Sequence, residues 1–350
     1  VLEELTTRLT ASKSLSEEDV RLAVRELVDE HRSAASKAEF LAALACKGET
    51  IAEIAAFTRE LRARAVQPLL HPATRAVDIL DVVGTGGDRL STFNISTTAA
   101  ILAAAAGVTV AKHGNRASTS TVGSADVMEA LGIPFDLGPE EAARALHEHG
   151  FAFFFAPKYH PAFRHISPAR KLCAERGRGT IFNFLGPLLN PAQPTAMLVG
   201  VPRPDLCEPL ACVLQSLGVR RAMVVSGAAP GEDGGTRYLD EISPLGPTTI
   251  SEFYQERALT TSTLEPGAFP MQAMDLADLR GGDREINARI IRRIICGEER
   301  GPKRDAVLLN ASAALFVAGR VRSLADGWEL AVRTIDDGAA RKKLDELTAK

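Results

Sequence analysis

The run Asp81-Val82-Val83-Gly84-Thr85-Gly86-Gly87-Asp88, followed by Asn94-Ile95-Ser96-Thr97, carries the residue types of an anion site. Glycines let backbone N–H groups approach a ligand where side chains would block them. N–H groups at a glycine turn and a helix start together favour bound negative charge. Glycines alone also suit an ordinary strand–turn–helix connection. Asp88 and the hydroxyls of Ser91, Thr92, Ser96, Thr97 and Thr98 turn the reading toward a phosphate or a metal–phosphate ligand.

Three further clusters could serve that ligand. Lys112-His113-Gly114-Asn115 follows an apolar strand-like run, and Lys112 can offer a point charge to phosphate while Asn115 both donates and accepts hydrogen bonds. His113 reads equally as a general base or as a hydrogen-bonded structural histidine. Ser118-Thr119-Ser120-Thr121 beside Lys112 adds hydroxyls suited to phosphate contact. Adjacent carboxylates such as Asp240-Glu241 usually sit on a surface; next to a phosphate site they suit Mg²⁺, which takes hard oxygen ligands and bridges a few carboxylates to phosphates. Arg170 has the planar fork for a carboxylate, although spacing alone also fits a surface arginine.

These residues must be held by elements. Ile79–Val83 is short, apolar and β-branched, a buried strand, and Asn94 and Ser96 suit the N-cap of an alanine-rich helix from Thr97 to Ala106. Strands are also expected at Val108–Ala111, Phe151–Phe155, Met197–Val201 and Ala222–Ser226, with helices such as Glu140–His149 and Leu206–Leu217 between them. Such alternation predicts a mainly parallel sheet covered by helices, which binds ligands at its strand ends. Before Ala76 the pattern is helical only, with capping boxes at Ser16–Asp19 and Thr50–Glu53. Val66–Pro72 reads as a linker because two prolines interrupt any helix. Residues 157–195 break the alternation and are expected to form a site or an excursion into another domain. Helices are expected again around Glu285–Cys296 and Val307–Ala318.

The chain has 350 residues and a net charge of −3, so no overall basic field argues for nucleic acid. Cys46, Cys173, Cys207, Cys212 and Cys296 are scattered without zinc or disulfide spacing and suit reduced thiols. No apolar run is long enough to span a bilayer, and the first residues lack a signal-peptide pattern, so a cytoplasmic protein without membrane contact is expected.

The set Gly84–Asp88, Asn94–Thr97, Lys112–Asn115, Arg170, Thr180–Asn183 with Gly186–Pro191, and Asp240-Glu241 resembles the anthranilate phosphoribosyltransferase family. The similarity runs in family order over nearly the whole chain and includes Lys47–Thr50, Gly301–Asp305 and Leu309–Ala311. It implies an α/β fold of the nucleoside phosphorylase/phosphoribosyltransferase kind: a small helical domain plus a larger α/β domain with a mainly parallel central sheet. Residues 1–70 would form the helical domain, joined by a returning segment near 164–190, and 71–163 with 191–350 the α/β domain. The implied reaction joins anthranilate to 5-phosphoribosyl 1-diphosphate (PRPP), releasing pyrophosphate in tryptophan biosynthesis, in the interdomain cleft of a homodimer. By resemblance, Gly84, Gly87, Asp88, Thr92, Asn94, Ile95, Ser96, Thr97, Lys112, Ser118, Thr119, Ser120 and Ser124 contact PRPP. Gly84, Asn115 and Arg170 contact anthranilate. Ser96, Asp240 and Glu241 serve a pair of Mg²⁺ ions, and His113 or His160 would accept a proton late. Whether an amidotransferase partner docks is left open.

The chain departs from the family pattern at 171–179 and at the loop 228–237, both longer than usual, and at Thr121-Val122 in place of lysine–serine. A nucleoside phosphorylase is the nearest alternative enzyme; Asp240-Glu241 and Lys112–Asn115 favour PRPP chemistry. A nucleic-acid-binding relative is disfavoured by the net charge, while another aromatic amine acceptor stays open.

Overall fold

The structure, a computed structural model, describes residues 1–117, 121–231, 234–254 and 258–349. The chain opens with four helices, α1 (Leu2–Thr10), α2 (Glu17–Val28), α3 (Ala34–Lys47) and α4 (Ile51–Arg62). Both expected capping boxes form: Ser16 pairs with Asp19, and Thr50 with Glu53. Glu53 does more than cap. Its buried carboxylate accepts from Leu15 N at 2.9 Å, Thr50 N at 2.8 Å and Lys47 Nζ at 2.7 Å, tying the α1–α2 connection to the start of α4.

The apolar stripes of these helices meet in one core containing Leu2, Leu9, Val20, Leu27, Phe40 and Phe57. The same core takes in Ile166, Cys173, Ile181, Leu185 and Leu188. These come from the stretch where strand–helix alternation breaks, which holds the helices Ser167–Glu175 and Phe182–Leu188. The prolines and asparagines there thus mark a return of the chain onto the N-terminal helices.

Among the described residues eight strands form one sheet: β1 (Ile79–Gly84), β2 (Thr109–Gly114), β3 (Phe151–Phe155), β4 (Ala196–Gly200), β5 (Arg221–Pro230), β6 (Thr236–Leu239), β7 (Thr248–Tyr254) and β8 (Thr260–Leu264). The order is β3-β2-β1-β4-β5-β7-β8, with β6 paired to the far end of β5. Pairings from β3 through β5 are parallel; those of β6, β7 and β8 are antiparallel. Side chains alternate between faces. Val82, Leu198 and Val225 pack with the helices Ile95–Ala105 and Pro302–Val317. Met197, Val199 and Val224 pack into the core of the N-terminal helices.

Two expectations are corrected. β2 runs to Gly114, so Lys112 and His113 lie within a strand, not after it. The two ends of the segment 228–237 are antiparallel strand, with Ala228 paired to Tyr238 and Pro230 to Thr236.

Candidate active site

Chain order reverses between β1 and β4, which is where open α/β sheets bind ligands. β1 and β4 end side by side in Gly84 and Gly200. The segment Asp240–Ser243 crosses these strand ends. A Cβ on Gly84 would overlap the Asp240 carboxylate, and one on Gly200 the Asp240 carbonyl. A Cβ on Gly227 of β5 would come within 2.6 Å of the Glu241 carbonyl. Three glycines on neighbouring strands therefore form a shelf on which the acidic pair lies flush.

Past Gly84 the chain needs left-handed angles at Gly86 (φ 72°) and Gly87 (φ 92°). Arg89 and Ser91 adopt the same region at φ 59° and 55°, uncommon for residues with side chains and concentrated at functional sites. The helix Ile95–Ala105 follows. Its N-cap is Asn94, but the Asn94 side chain does not cap; its Oδ1 accepts from Asn287 Nδ2 at 3.0 Å. Ser96 lies within the first turn, and its N–H donates to Glu241 Oε1 at 3.0 Å. Gly86 N–H donates to Asp240 Oδ2 at 2.8 Å. The acidic pair thus meets both the glycine turn and the helix start.

These elements enclose a cavity of about 340 Å³. Of the expected residues, Gly84, Gly87, Asp88, Thr92, Asn94, Ile95, Ser96 and Thr97 line it from the β1 side. Lys112, His113, Asn115 and Ser124 line it from β2 and beyond, and Asp240 and Glu241 from across the shelf. His160 and Arg170 stand outside the lining, and Ser118, Thr119 and Ser120 lie outside the described residues. Sequence reasoning missed Asn287, which also accepts from Gly282 N at 2.8 Å and so braces Asn94. The signal available was a second Gly-Gly-Asp run, Gly281–Asp283, just ahead of it.

Burial governs the electrostatics. Desolvation raises the pKa of Asp88, Asp240 and Glu241, and their mutual repulsion pushes Asp240 and Glu241 further. Lys112 is buried and its pKa lowered by desolvation, against which Asp81 and Glu241 hold the proton on. Its Nζ donates to Val82 O at 2.6 Å. Asp81 is itself buried, raised to about 6 by desolvation, and accepts from Asn190 Nδ2 at 2.9 Å. Thr97 Oγ1, on the cavity wall, is buried with no hydrogen-bond partner.

A second cluster lies behind His113. Its Nδ1 is 3.2 Å from Gly186 O and takes the donor role, which leaves Nε2 a buried acceptor without a partner. His160 Nε2 donates to Leu189 O at 2.9 Å, and the two rings meet edge to face at 5.6 Å. Desolvation lowers the pKa of His113 to about 3 and of His160 to about 4, so both are neutral at pH 7. His160 stacks on Phe163, Phe163 meets Phe182, and the Arg170 guanidinium lies 5.3 Å over the Phe182 ring. Anionic chemistry at the glycine turn and an aromatic, cationic patch beside it thus share one region.

Among the described residues no group of three His, Cys, Asp or Glu side chains is set to enclose a metal ion. The donors present suit a cation that uses one or two carboxylates and takes its other ligands from a substrate's phosphates and water, the habit of Mg²⁺.

Two sequence profiles match the chain: the helical bundle domain of the glycosyl transferase family over residues 3–65, and its α/β domain over residues 76–341. An anthranilate phosphoribosyltransferase of Symbiobacterium thermophilum is 46% identical over 99% of this chain and 96% of its own. The crystal structure of the Thermus thermophilus anthranilate phosphoribosyltransferase superposes with a TM-score of 0.86 at 39% identity, covering 98% of both chains. The solved structure of the Saccharomyces cerevisiae enzyme in complex with PRPP and Mg gives a TM-score of 0.85 at 28% identity over 99% of this chain and 96% of that one.

Proposed function

The chain belongs to the anthranilate phosphoribosyltransferase family, and from that membership we infer how its site works. It is an enzyme that transfers the phosphoribosyl group of PRPP to the amine of anthranilate, giving N-(5-phosphoribosyl)anthranilate and pyrophosphate in tryptophan biosynthesis. Mg²⁺ supports the reaction.

The site roles are our reading. The observation that carries it is the convergence of the glycine turn, the start of the helix Ile95–Ala105, Lys112 and the Asp240-Glu241 pair on one cavity. As the bond from ribose to pyrophosphate breaks, positive character grows on the ribose carbon and negative charge on the leaving group, so catalysis rests on positioning and charge stabilisation. N–H groups of Gly86, Gly87 and the first helical turn, with Lys112, hold the diphosphate. Thr92, Asn94 and Ser124 hold the rest of PRPP, and the unpartnered Thr97 hydroxyl finds its partner there. Ser118, Thr119 and Ser120 belong to the same set by family resemblance alone.

Ser96, Asp240 and Glu241 would hold a Mg²⁺ pair, which would supply positive charge against that developing on pyrophosphate. Anthranilate sits between the turn and the aromatic patch. Gly84 meets it through its backbone, Asn115 orients its substituents and Arg170 pairs with its carboxylate. The neutral His113 presents Nε2 as an acceptor for the proton that the new bond releases, with His160 holding that ring in place.

We read residues 1–70 with the return near 164–190 as the helical unit, and 71–163 with 191–350 as the α/β unit; what supports the return is the core that Ile166, Ile181 and Leu188 share with the N-terminal helices. We read the working form as a cytoplasmic homodimer without nucleic-acid or membrane partners; no described helix is long and apolar enough to cross a membrane.

Purified protein given PRPP, Mg²⁺ and anthranilate should consume anthranilate fluorescence and release equimolar pyrophosphate. Phosphate-dependent cleavage of a nucleoside, with no pyrophosphate formed, would overturn the assignment.

A further inference from the structure

Asn287 sits in the first turn of the helix Arg284–Ile295, almost fully buried, yet it lines the cavity together with Gly281 and Gly282. The chain ahead of it runs beside the approach to the helix Ile95–Ala105. Phe93 N–H donates to Leu279 O at 3.0 Å, and Gly281 N–H to Ser91 O at 2.9 Å. Gly281 needs no left-handed angle. It needs space, since a Cβ there would come within 2.6 Å of Asn287 Oδ1 and 2.9 Å of Phe93 Cα. The Asn287 amide therefore lies directly on the Gly281 backbone, within reach of Asn94.

The polarity of this amide is fixed by the backbone. Gly282 N–H can only donate, so the atom it meets at 2.8 Å is the oxygen, Oδ1, of Asn287. Asn287 Nδ2 is then left to donate to Asn94 Oδ1 at 3.0 Å. With its oxygen engaged, Asn94 has only its amide hydrogens to offer elsewhere. Nδ2 reaches Val122 O at 3.4 Å, a long contact that uses one hydrogen, and the other has no acceptor among the described residues. Asn94 lines a cavity built for anions, where a donor is the useful face. Turned over, it would set a carbonyl oxygen against phosphate oxygens.

We propose that Asn287 is a positioning residue for the phosphoribosyl donor, holding the Asn94 oxygen so that Asn94 Nδ2 faces an oxygen of PRPP. This role rests on the reading of the cavity as the PRPP site. A lone asparagine amide can present either end to a ligand. Here the Gly282 N–H selects one end, and the choice is passed through Asn287 to Asn94. The second Gly-Gly-Asp run thus serves the donor substrate through a chain of two amides: its glycines give the Asn287 amide a seat and an anchor.

The test is a double-mutant cycle on the full-length protein. The Kd for PRPP with Mg²⁺ is read by calorimetry without acceptor, and KM values are read from turnover. N94A should weaken PRPP binding about 30-fold, the range of a lost hydrogen bond to a charged group. N287A should weaken it about tenfold, because Asn94 is then free to turn. The KM for anthranilate at saturating PRPP should stay within about twofold in N287A. The double variant N94A/N287A should bind PRPP within about twofold of N94A alone. An unchanged Kd in N287A would overturn the proposal, as would a full tenfold loss from N287A in the N94A background, the mark of a brace that does not act through Asn94. Thermal melts accompany each variant, because Gly282 N–H also loses its partner. Should N287A fail to fold, N287D keeps the shape and the acceptor for Gly282, and the same cycle is run with it. A loss that vanishes in the N94A background would support the proposal, and one that persists there would overturn it. Wild-type protein that binds PRPP but releases no pyrophosphate with anthranilate would instead overturn the transferase reading.

Discussion

At the scale of single residues, the site divides labour between backbone N–H groups and a few charges. Asp240 meets the glycine turn and Glu241 the helix start. Replacing them together by Asn and Gln keeps their size and hydrogen-bonding oxygens but removes both charges. Mg²⁺-dependent turnover should then fall at least about 1,000-fold, the scale of lost electrostatic stabilisation; an unaltered Mg²⁺ titration curve would remove them from the metal site. Arg170→Ala should raise the KM for anthranilate about tenfold or more and leave that for PRPP nearly unchanged. Equal effects on both would count against the carboxylate role. Most of the cavity wall could be read in advance because glycines, hydroxyls and a lysine follow strand-like runs in short order. Asn287 could not, because it acts through Asn94, nearly two hundred residues earlier, and carries no charge that advertises it.

At the scale of elements, the glycine shelf is the feature that fixes the acidic pair. Gly200→Ala is the sharpest probe of it, since the new methyl would collide with the Asp240 carbonyl, which is backbone and cannot swing aside. The variant should lose about 1–3 kcal/mol of stability, the usual cost of overpacking, and lose turnover along with it. A denaturant midpoint equal to wild type would show that the shelf can yield. The parallel strands were legible because they are continuous apolar runs bounded by turns. β6 and β8 were not: Thr236–Leu239 and Thr260–Leu264 are polar and largely exposed, and only the antiparallel partner beside each makes it a strand. The extension of β2 through Lys112 and His113 escaped for a related reason. Charged and titratable residues argue against a strand interior until Asp81 and Glu241 are seen to face Lys112.

For the whole molecule, His113 and His160 couple the site to folding. Both have depressed pKa values in the fold, about 3 and about 4, against about 6.5 in an unfolded chain. Below 6.5 the unfolded state binds the extra protons, so this contribution to stability is complete above that pH and drains away as pH falls toward 4 and then 3. Each ring can steepen the loss by up to about 1.4 kcal/mol per pH unit. Urea unfolding at pH 7.5 and pH 5 should therefore differ clearly, and His113→Asn should flatten the difference. A wild-type midpoint that does not move across this interval would contradict the burial of neutral rings. The alternation of helices and strands and the helical start made the division into two units legible, whereas the depth of the histidines required the fold. The shelf has one more consequence, for tolerance to change in chain length. Because Asp240 follows directly on Leu239, which pairs with Gly227 of the shelf, a one-residue change in the length of β6 would carry the acids out of register with Gly84 and Gly200.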